Sequence, residues 1–136
     1  NFHGDLQPEN IIVTKNKEFK FIDWRTDFST LKYGDIYYEF AKLNHMLTIN
    51  TRKVLDGKIG VKYKSSNEVK YYFQTRSKLL NFQKILYKFL KIKNYDLIKV
   101  KILTALIYLN ISKFYNNPYS ELLFYHGKNQ LYKLIK

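Results

Sequence analysis

The stretch HGDLQPEN, residues 3–10, places a histidine, an aspartate and an asparagine close together in the chain. It leads directly into the apolar run NIIV (10–13), and a second such run, FKFID (19–23), follows the polar segment TKNKE. Short apolar runs rich in β-branched and aromatic residues, separated by a short polar connection, are typical of a β-hairpin. We therefore predict a hairpin over 10–23, with Asp5, Asn10 and Asp23 at the same end of it.

A helix is predicted directly after this hairpin. Gly34 interrupts the chain, and Asp35 is a favourable N-cap residue. Four apolar residues then recur at helical spacing, namely Ile36, Phe40, Leu43 and Leu47. We expect this helix to bury its apolar face, and we expect the Asp35 carboxylate to reach back to the backbone of the loop over 3–5.

The rest of the chain is predicted to be mainly helical. The turn signals DGK and SSNE flank the alternating segment KIGVKYK, which indicates a second hairpin or an ordered loop within 50–67. Helices are predicted over 72–91 and 96–115, and the second is expected to be the central core helix because its middle is apolar all round. Two short helices are predicted over 119–125 and 128–136. An apolar stripe of the 72–91 helix is expected to face the core and consists of Leu79, Phe82, Leu86 and Phe89.

These elements predict an α+β fold, mainly α, with one or two small β-hairpins. The length of 136 residues and the hydrophobic content of 46% suit one compact domain over 1–136. The absence of cysteine excludes disulfides and thiolate metal sites. The apolar run ILTALIYLNI (102–111) is shorter than the roughly 20 residues of a membrane span, so we expect a cytoplasmic protein without one.

The net charge of +13 is distributed unevenly along the chain. Residues 1–50 contain 6 basic and 7 acidic side chains, whereas residues 51–136 contain 18 and 4. A surface this basic attracts nucleic acid, an anionic membrane or a phosphorylated small molecule. Solvated lysines on exposed helix faces give the same composition, and we expect no nucleic-acid partner.

The spacing of Asp5, Asn10 and Asp23 suits phosphoryl transfer. In that chemistry an aspartate accepts the proton of the acceptor hydroxyl, while an amide oxygen and a second carboxylate hold the Mg²⁺ ions that neutralise the phosphates. Oxygen ligands also suit Mg²⁺, which keeps several waters and substrate oxygens. We expect the three side chains to meet in one open cleft. Asp27 is interpreted as a loop acid, and His45 and His126 as packing or surface residues.

At these residues the sequence resembles the aminoglycoside phosphotransferase and choline kinase family, which is related to the protein kinases. HGDLQPEN resembles its catalytic loop, FIDW its metal-binding strand end, and YGDIYYEFAKL the Asp-capped helix that follows. The resemblance covers residues 2–47. It implies that Asp5 is the catalytic base, that Asn10 and Asp23 are magnesium ligands, and that His3 and Asp35 support the loop. It further implies a kinase that transfers phosphate from ATP to a small-molecule hydroxyl, on a sugar or amino alcohol of surface-polysaccharide metabolism.

The sequence departs from this pattern in two ways. Arg25 stands where protein kinases have glycine, so an activation-loop switch is not expected. The amino-terminal lobe of the family has no counterpart before Asn1, so we expect the chain to be the carboxy-terminal lobe of a longer kinase, nearly inactive alone. Two alternatives stay open: a basic nucleic-acid-binding module with an accidental HGD, and a non-catalytic interaction domain.

Overall fold

The structure, a computed structural model, describes residues 2–28, 30–31, 33–49 and 58–136. Within these ranges the chain forms four α-helices and two small antiparallel sheets, so the fold is α+β and mainly helical, as predicted. The helices are α1 (Ile36–Thr48), α2 (Ser77–Ile92), α3 (Leu97–Ser112) and α4 (Tyr119–Ile135). The strands are β1 (Ile11–Val13), β2 (Phe19–Phe21), β3 (Ile59–Ser65) and β4 (Glu68–Phe73).

The first hairpin is confirmed. β1 pairs with β2 in the register Ile11 to Phe21. Two hydrogen bonds close the loop between them: the Glu18 N–H donates to Thr14 Oγ1, and the Thr14 N–H donates to the Glu18 carbonyl. A 3₁₀ turn over Pro8–Asn10 leads into β1. The HGDLQPEN stretch (3–10) is therefore joined directly to the open end of this hairpin.

The second hairpin lies further along the chain than predicted. SSNE forms its turn, and the second strand, Glu68–Phe73, runs beyond the predicted range 50–67. The side chains of this strand alternate between exposed and half-buried, as in a strand with one face on the core. Tyr72 and Phe73 consequently belong to β4, and α2 begins at Ser77 rather than at 72. Asp56 and Gly57 of the predicted DGK turn lie outside the described residues.

Helix α3 is central, as predicted, because it packs against α1, α2 and α4. Asp96 caps it by accepting from the backbone N–H groups of Ile98 and Lys99. One apolar cluster joins α3 to α4 and the second hairpin, and another joins it to α1 and α2. Although apolar residues occur on every side of α3, the helix is not buried on every side, since Ile98 and Leu106 are exposed.

The two short helices predicted at the end of the chain are one continuous helix, α4. Gly127, which separated them in the sequence, lies where α4 crosses α3. A Cβ at this position would be 2.8 Å from the carbonyl oxygen of Ala105. The glycine therefore permits close packing of two helices and does not end one.

Helix α2 turns a different face to the core than the sequence predicts. Leu86 and Leu90 are buried, but Phe82 and Phe89 are exposed. The physical reason is Gln83, whose Nε2 donates to Asn44 Oδ1 at 3.0 Å and Thr48 Oγ1 at 2.9 Å on α1. Satisfying these buried polar groups fixes the rotation of α2. In the described part of the chain, no helix has the length and apolar character needed to cross a membrane.

Candidate active site

The loop over 3–5 is held on both sides by backbone contacts. Arg25 donates its N–H to the His3 carbonyl at 2.9 Å, and Gly4 donates its N–H to Glu39 Oε1 at 2.6 Å. Gly4 has a φ of 80°, and a Cβ there would lie 2.7 Å from the Arg25 Cβ. Only glycine fits this left-handed, closely approached position without strain. The loop is therefore fixed between the segment after β2 and helix α1.

Asp5 is a buried carboxylate with two side-chain neighbours. Its Oδ1 lies 2.5 Å from Lys42 Nζ on α1, and its Oδ2 accepts a long hydrogen bond, 3.5 Å, from Gln7 Nε2. Its backbone N–H donates to His3 Nδ1 at 3.3 Å. Because a buried charge is costly unless it is paired, Lys42 supplies the opposite charge beside the Asp5 carboxylate.

Asn10 connects Asp5 to the hairpin. Its side-chain Nδ2 donates to the backbone carbonyl of Asp5 at 3.0 Å. Its backbone carbonyl accepts from the Ile22 N–H, also at 3.0 Å. The donor end of the amide is thus used inside the protein. Oδ1, the oxygen that suits a hard cation, is the other end of the same amide.

Asp23 lies between two backbone hydrogen bonds to the HGDLQPEN stretch (3–10). Ile22 before it bonds to Asn10, and Arg25 after it bonds to His3. Asp23 itself is exposed and has a φ of 60°, so the chain turns sharply directly after β2. These contacts bring the backbones of Asp5, Asn10 and Asp23 to the same end of the hairpin. Shared coordination of a metal by their oxygens stays a prediction.

His3 makes contacts suited to a supporting role. It is buried, it receives the Asp5 N–H, and its ring lies against Trp24 with a centroid separation of 4.8 Å. Its Nε2 is buried and makes no hydrogen bond within the described residues. The two ring nitrogens therefore differ, since only Nδ1 is tied to the loop.

Asp35 caps α1, as predicted, by accepting from the Tyr37 N–H at 2.9 Å. The contact expected between its carboxylate and the loop over 3–5 is made instead by Glu39, one helical turn later. Asp35 is exposed, and its Oδ2 lies 3.2 Å from Lys99 Nζ. The cap lies at the outer end of the helix, whereas Glu39 lies on the buried face that the loop contacts.

Sequence reasoning missed both Glu39 and Lys42. Their signal is a pair of opposite charges within EFAK (39–42), a segment that also contains buried Phe40 and Ala41. Charged side chains are rarely buried unless they are paired. A carboxylate and an ammonium on one largely apolar helix therefore indicate partners elsewhere in the chain.

A cavity of about 420 Å³ is lined in part by Gln7 and Lys42, the two side chains that contact the Asp5 carboxylate. Its other walls include Glu9, His45 and aromatic rings from α3, from α4 and from the connection between them, namely Tyr108, Tyr119 and Tyr115. Burial, with a smaller contribution from the Lys42 ammonium, lowers the pKa of His45 to about 4, so this wall residue is neutral at neutral pH. Burial, and after it the Asp5 carboxylate, raises the pKa of Tyr38, whose phenol stays protonated.

Two further observations bear on identity. In the part of the chain that the structure describes, no three His, Cys, Asp or Glu side chains come together as a metal site. The magnesium ligands predicted here, the Asn10 amide and the Asp23 carboxylate, are a different donor set and suit a cation that also binds phosphate and water oxygens. No protein-family model, curated protein or solved structure matches this chain.

Proposed function

We propose that the chain carries the catalytic centre of an ATP-dependent phosphotransferase that acts on a small-molecule hydroxyl. Its resemblance to the aminoglycoside phosphotransferases and choline kinases suggests a carboxy-terminal, kinase-like lobe. The observation that carries the proposal is that Asn10 bonds in two directions: its side-chain Nδ2 donates to the Asp5 carbonyl, and its backbone carbonyl accepts from the N–H of Ile22, next to Asp23. This connection holds in place the three residue types that phosphoryl transfer requires.

In the proposed reaction Asp5 is the general base. Its carboxylate accepts the proton of the acceptor hydroxyl, the hydroxyl oxygen forms a bond to the γ-phosphorus of ATP, and the bond between that phosphorus and the bridging oxygen of ADP breaks. The buried loop fixes the direction of the Asp5 carboxylate. Fixed positions matter because this reaction depends on positioning and electrostatic stabilisation.

Asn10 Oδ1 and the Asp23 carboxylate would hold magnesium together with the phosphate oxygens. When bound, magnesium neutralises charge on the β- and γ-phosphates. Asp23 is exposed and Asn10 has its donor end occupied, so both can offer oxygen to a cation. Lys42 keeps Asp5 paired before the acceptor arrives.

The cavity lined by Gln7 and Lys42 is the proposed acceptor site. Lys42 and Gln7 contact the two Asp5 oxygens, so an acceptor bound there lies against the two side chains that hold the proposed base. Its tyrosine rings suit the apolar face of a sugar, and the Glu9 carboxylate suits hydroxyl groups or an amine. A sugar or an amino alcohol is therefore the expected acceptor class.

The decisive experiment measures phosphate transfer from ATP to a panel of sugars and amino alcohols, with and without Mg²⁺. Because the resemblance implies that a separate lobe grips the nucleotide, the protein is expressed from its complete reading frame. Asp5→Asn is expected to lower turnover by at least about 10²-fold with little change in nucleotide affinity. Asp23→Asn should instead raise the Mg²⁺ concentration that half-maximal activity requires.

Asp27→Asn is the matched control, because Asp27 is an exposed acid of the same region that we interpret as a loop residue. Its activity should equal that of the unmodified protein. Full activity in Asp5→Asn, or transfer that is independent of divalent cations, would refute the mechanism. Binding to random-sequence DNA that falls steeply with salt, without any transfer, would favour the nucleic-acid alternative instead.

A further inference from the structure

Helix α2 carries two apolar stripes, and only one of them is covered. Leu86 and Leu90 pack into the core. On the neighbouring face, about 100° around the helix, four large apolar residues recur at helical spacing and are 57%, 62%, 43% and 66% exposed, namely Phe82, Ile85, Phe89 and Ile92. We call these four residues the α2 outer stripe. Scattered exposed apolar residues are ordinary, but four aligned along one helix form a continuous patch.

The outer stripe is surrounded by positive charge. Residues 69–95 contain seven lysines and arginines and no acid. The lysines on α2 itself are exposed and form no ion pair within the described residues, and they are Lys78, Lys84, Lys88 and Lys91. A helix with an apolar stripe and unpaired flanking lysines has the composition of an interfacial helix.

We propose that α2 binds to the surface of an anionic lipid bilayer, with the helix axis parallel to the membrane. The outer stripe would enter the boundary between headgroups and acyl chains, while the lysines contact lipid phosphates and carboxylates. Lysine side chains can do both, since the aliphatic stem lies along apolar surface and the ammonium stays in the headgroup layer. The proposal does not depend on the phosphotransferase function.

Charge favours this occupant over a second copy of the chain. Two outer stripes packed face to face would bring two lysine-rich helices together without an acid on α2 of either copy. Like charges at an interface oppose association. Nucleic acid would satisfy the lysines but would leave the aliphatic side chains of Ile85 and Ile92 without an apolar environment. An anionic bilayer satisfies both features of the helix.

The test is cosedimentation of the full 136-residue chain with lipid vesicles. Vesicles of phosphatidylcholine with about one third phosphatidylserine should bind at least about 10-fold more protein than phosphatidylcholine alone, and added salt should reduce the binding. Equal binding to both vesicle types, or no binding to either, would overturn the proposal.

Paired variants distinguish α2 from the rest of the surface. Phe82→Ser combined with Ile85→Ser should lower vesicle binding at least about 10-fold, because it removes the inserted apolar area. The control combines Phe114→Ser with Ile135→Ser, which are 70% and 75% exposed elsewhere, and it should bind as the unmodified chain does. All four side chains are exposed, and far-UV circular dichroism verifies that both variants are folded.

A second comparison isolates the charge. One triple variant changes α2 lysines, Lys84→Gln, Lys88→Gln and Lys91→Gln, and its control makes the same change in net charge on and after α4, Lys128→Gln, Lys133→Gln and Lys136→Gln. Only the α2 variant should lose the preference for anionic vesicles. Equal loss in both would mean that total charge, rather than this helix, attracts the lipid. Dimerisation in sedimentation equilibrium that Phe82→Ser abolishes would assign the stripe to a second copy and overturn the proposal.

Discussion

Lys42 Nζ lies 2.5 Å from Asp5 Oδ1, and the two side chains are only 12% and 11% exposed. The pair joins α1 to the HGDLQPEN stretch (3–10) across 37 positions of sequence. Removing one partner of a buried ion pair leaves the other charge uncompensated, which costs far more than losing an exposed pair. Asp5 and Lys42 are therefore coupled in stability as well as in position.

The coupling predicts the behaviour of a double variant. Lys42→Met should lower the free energy of unfolding by about 3 kcal/mol, because the Asp5 carboxylate stays buried without a cation. Adding Asp5→Asn should restore at least about half of that loss, since the uncompensated charge is removed. Urea unfolding measures both values. A double variant no more stable than Lys42→Met would show that the two side chains act independently.

Glu39 should act on catalysis through the position of the loop. Its Oε1 accepts from the Gly4 N–H at 2.6 Å, whereas its buried Oε2 makes no hydrogen bond within the described residues. Glu39→Ala leaves the Gly4 N–H without an acceptor and should lower the free energy of unfolding by about 1–3 kcal/mol. It should also lower turnover. Glu39→Gln keeps a carbonyl oxygen at the same place and should retain most of both.

Turnover and unfolding are measured on the same preparations of these two variants. A merely structural role would lower stability without lowering the turnover of the folded protein. Glu39→Ala that transfers phosphate at the normal rate per folded molecule would contradict the positioning role.

Local signals in the sequence predicted the elements around the site correctly. The hairpin followed from two short apolar runs, and the start of α1 followed from Asp35, because strand pairing across a short loop and helix capping involve neighbours in sequence. The partners of Asp5 and Gly4 were not predictable in the same way. Lys42 and Glu39 reach them from a different element, and only the packing of α1 on the loop brings them together.

The errors have a similar origin. Gly127 lies in the gap between the two predicted helices 119–125 and 128–136, and glycine has low helix propensity, but α4 continues through it where it closely approaches Ala105. Phe82 and Phe89 were expected in the core because they are apolar. The hydrogen bonds of Gln83 to Asn44 and Thr48 on α1 instead turn the Gln83 face of α2 towards the core. Long-range contacts decided both cases, and neither contact is visible in local spacing.

Asp35 is expected to contribute stability through its cap rather than through Lys99. Asp35→Ala should lower the free energy of unfolding by about 0.5–2 kcal/mol, since the Tyr37 N–H loses its acceptor. Lys99→Ala removes an exposed ion pair together with the contact of Lys99 Nζ over the Tyr37 ring, 4.0 Å from the centroid, and should cost less than about 1 kcal/mol. Thermal or urea unfolding of the two variants separates the contributions, and equal losses would assign the effect of Asp35 to the ion pair.

The two buried histidines should make stability depend on pH in the acidic range. Burial lowers the pKa of His126 to about 4, with a smaller effect from Lys133, and it lowers that of His45 to about 4 as well. In the unfolded chain histidine titrates near 6.5. Between these values the unfolded state binds more protons than the folded state, so stability is full above about pH 6.5 and falls as the pH drops toward 4.

This window can be measured before most carboxylates titrate. Between pH 7 and pH 5 each histidine should remove about 2 kcal/mol from the free energy of unfolding, because 1 pKa unit corresponds to about 1.4 kcal/mol. His126→Gln cannot become charged, so urea unfolding of this variant should show about half the decrease of the unmodified chain, whatever its stability at pH 7. An unchanged decrease in His126→Gln would mean that His126 does not resist protonation in the folded protein. The ring lies among Tyr71, Phe73 and Tyr108 at centroid separations of 5.9, 5.0 and 4.9 Å, an aromatic environment that explains why the neutral form is favoured.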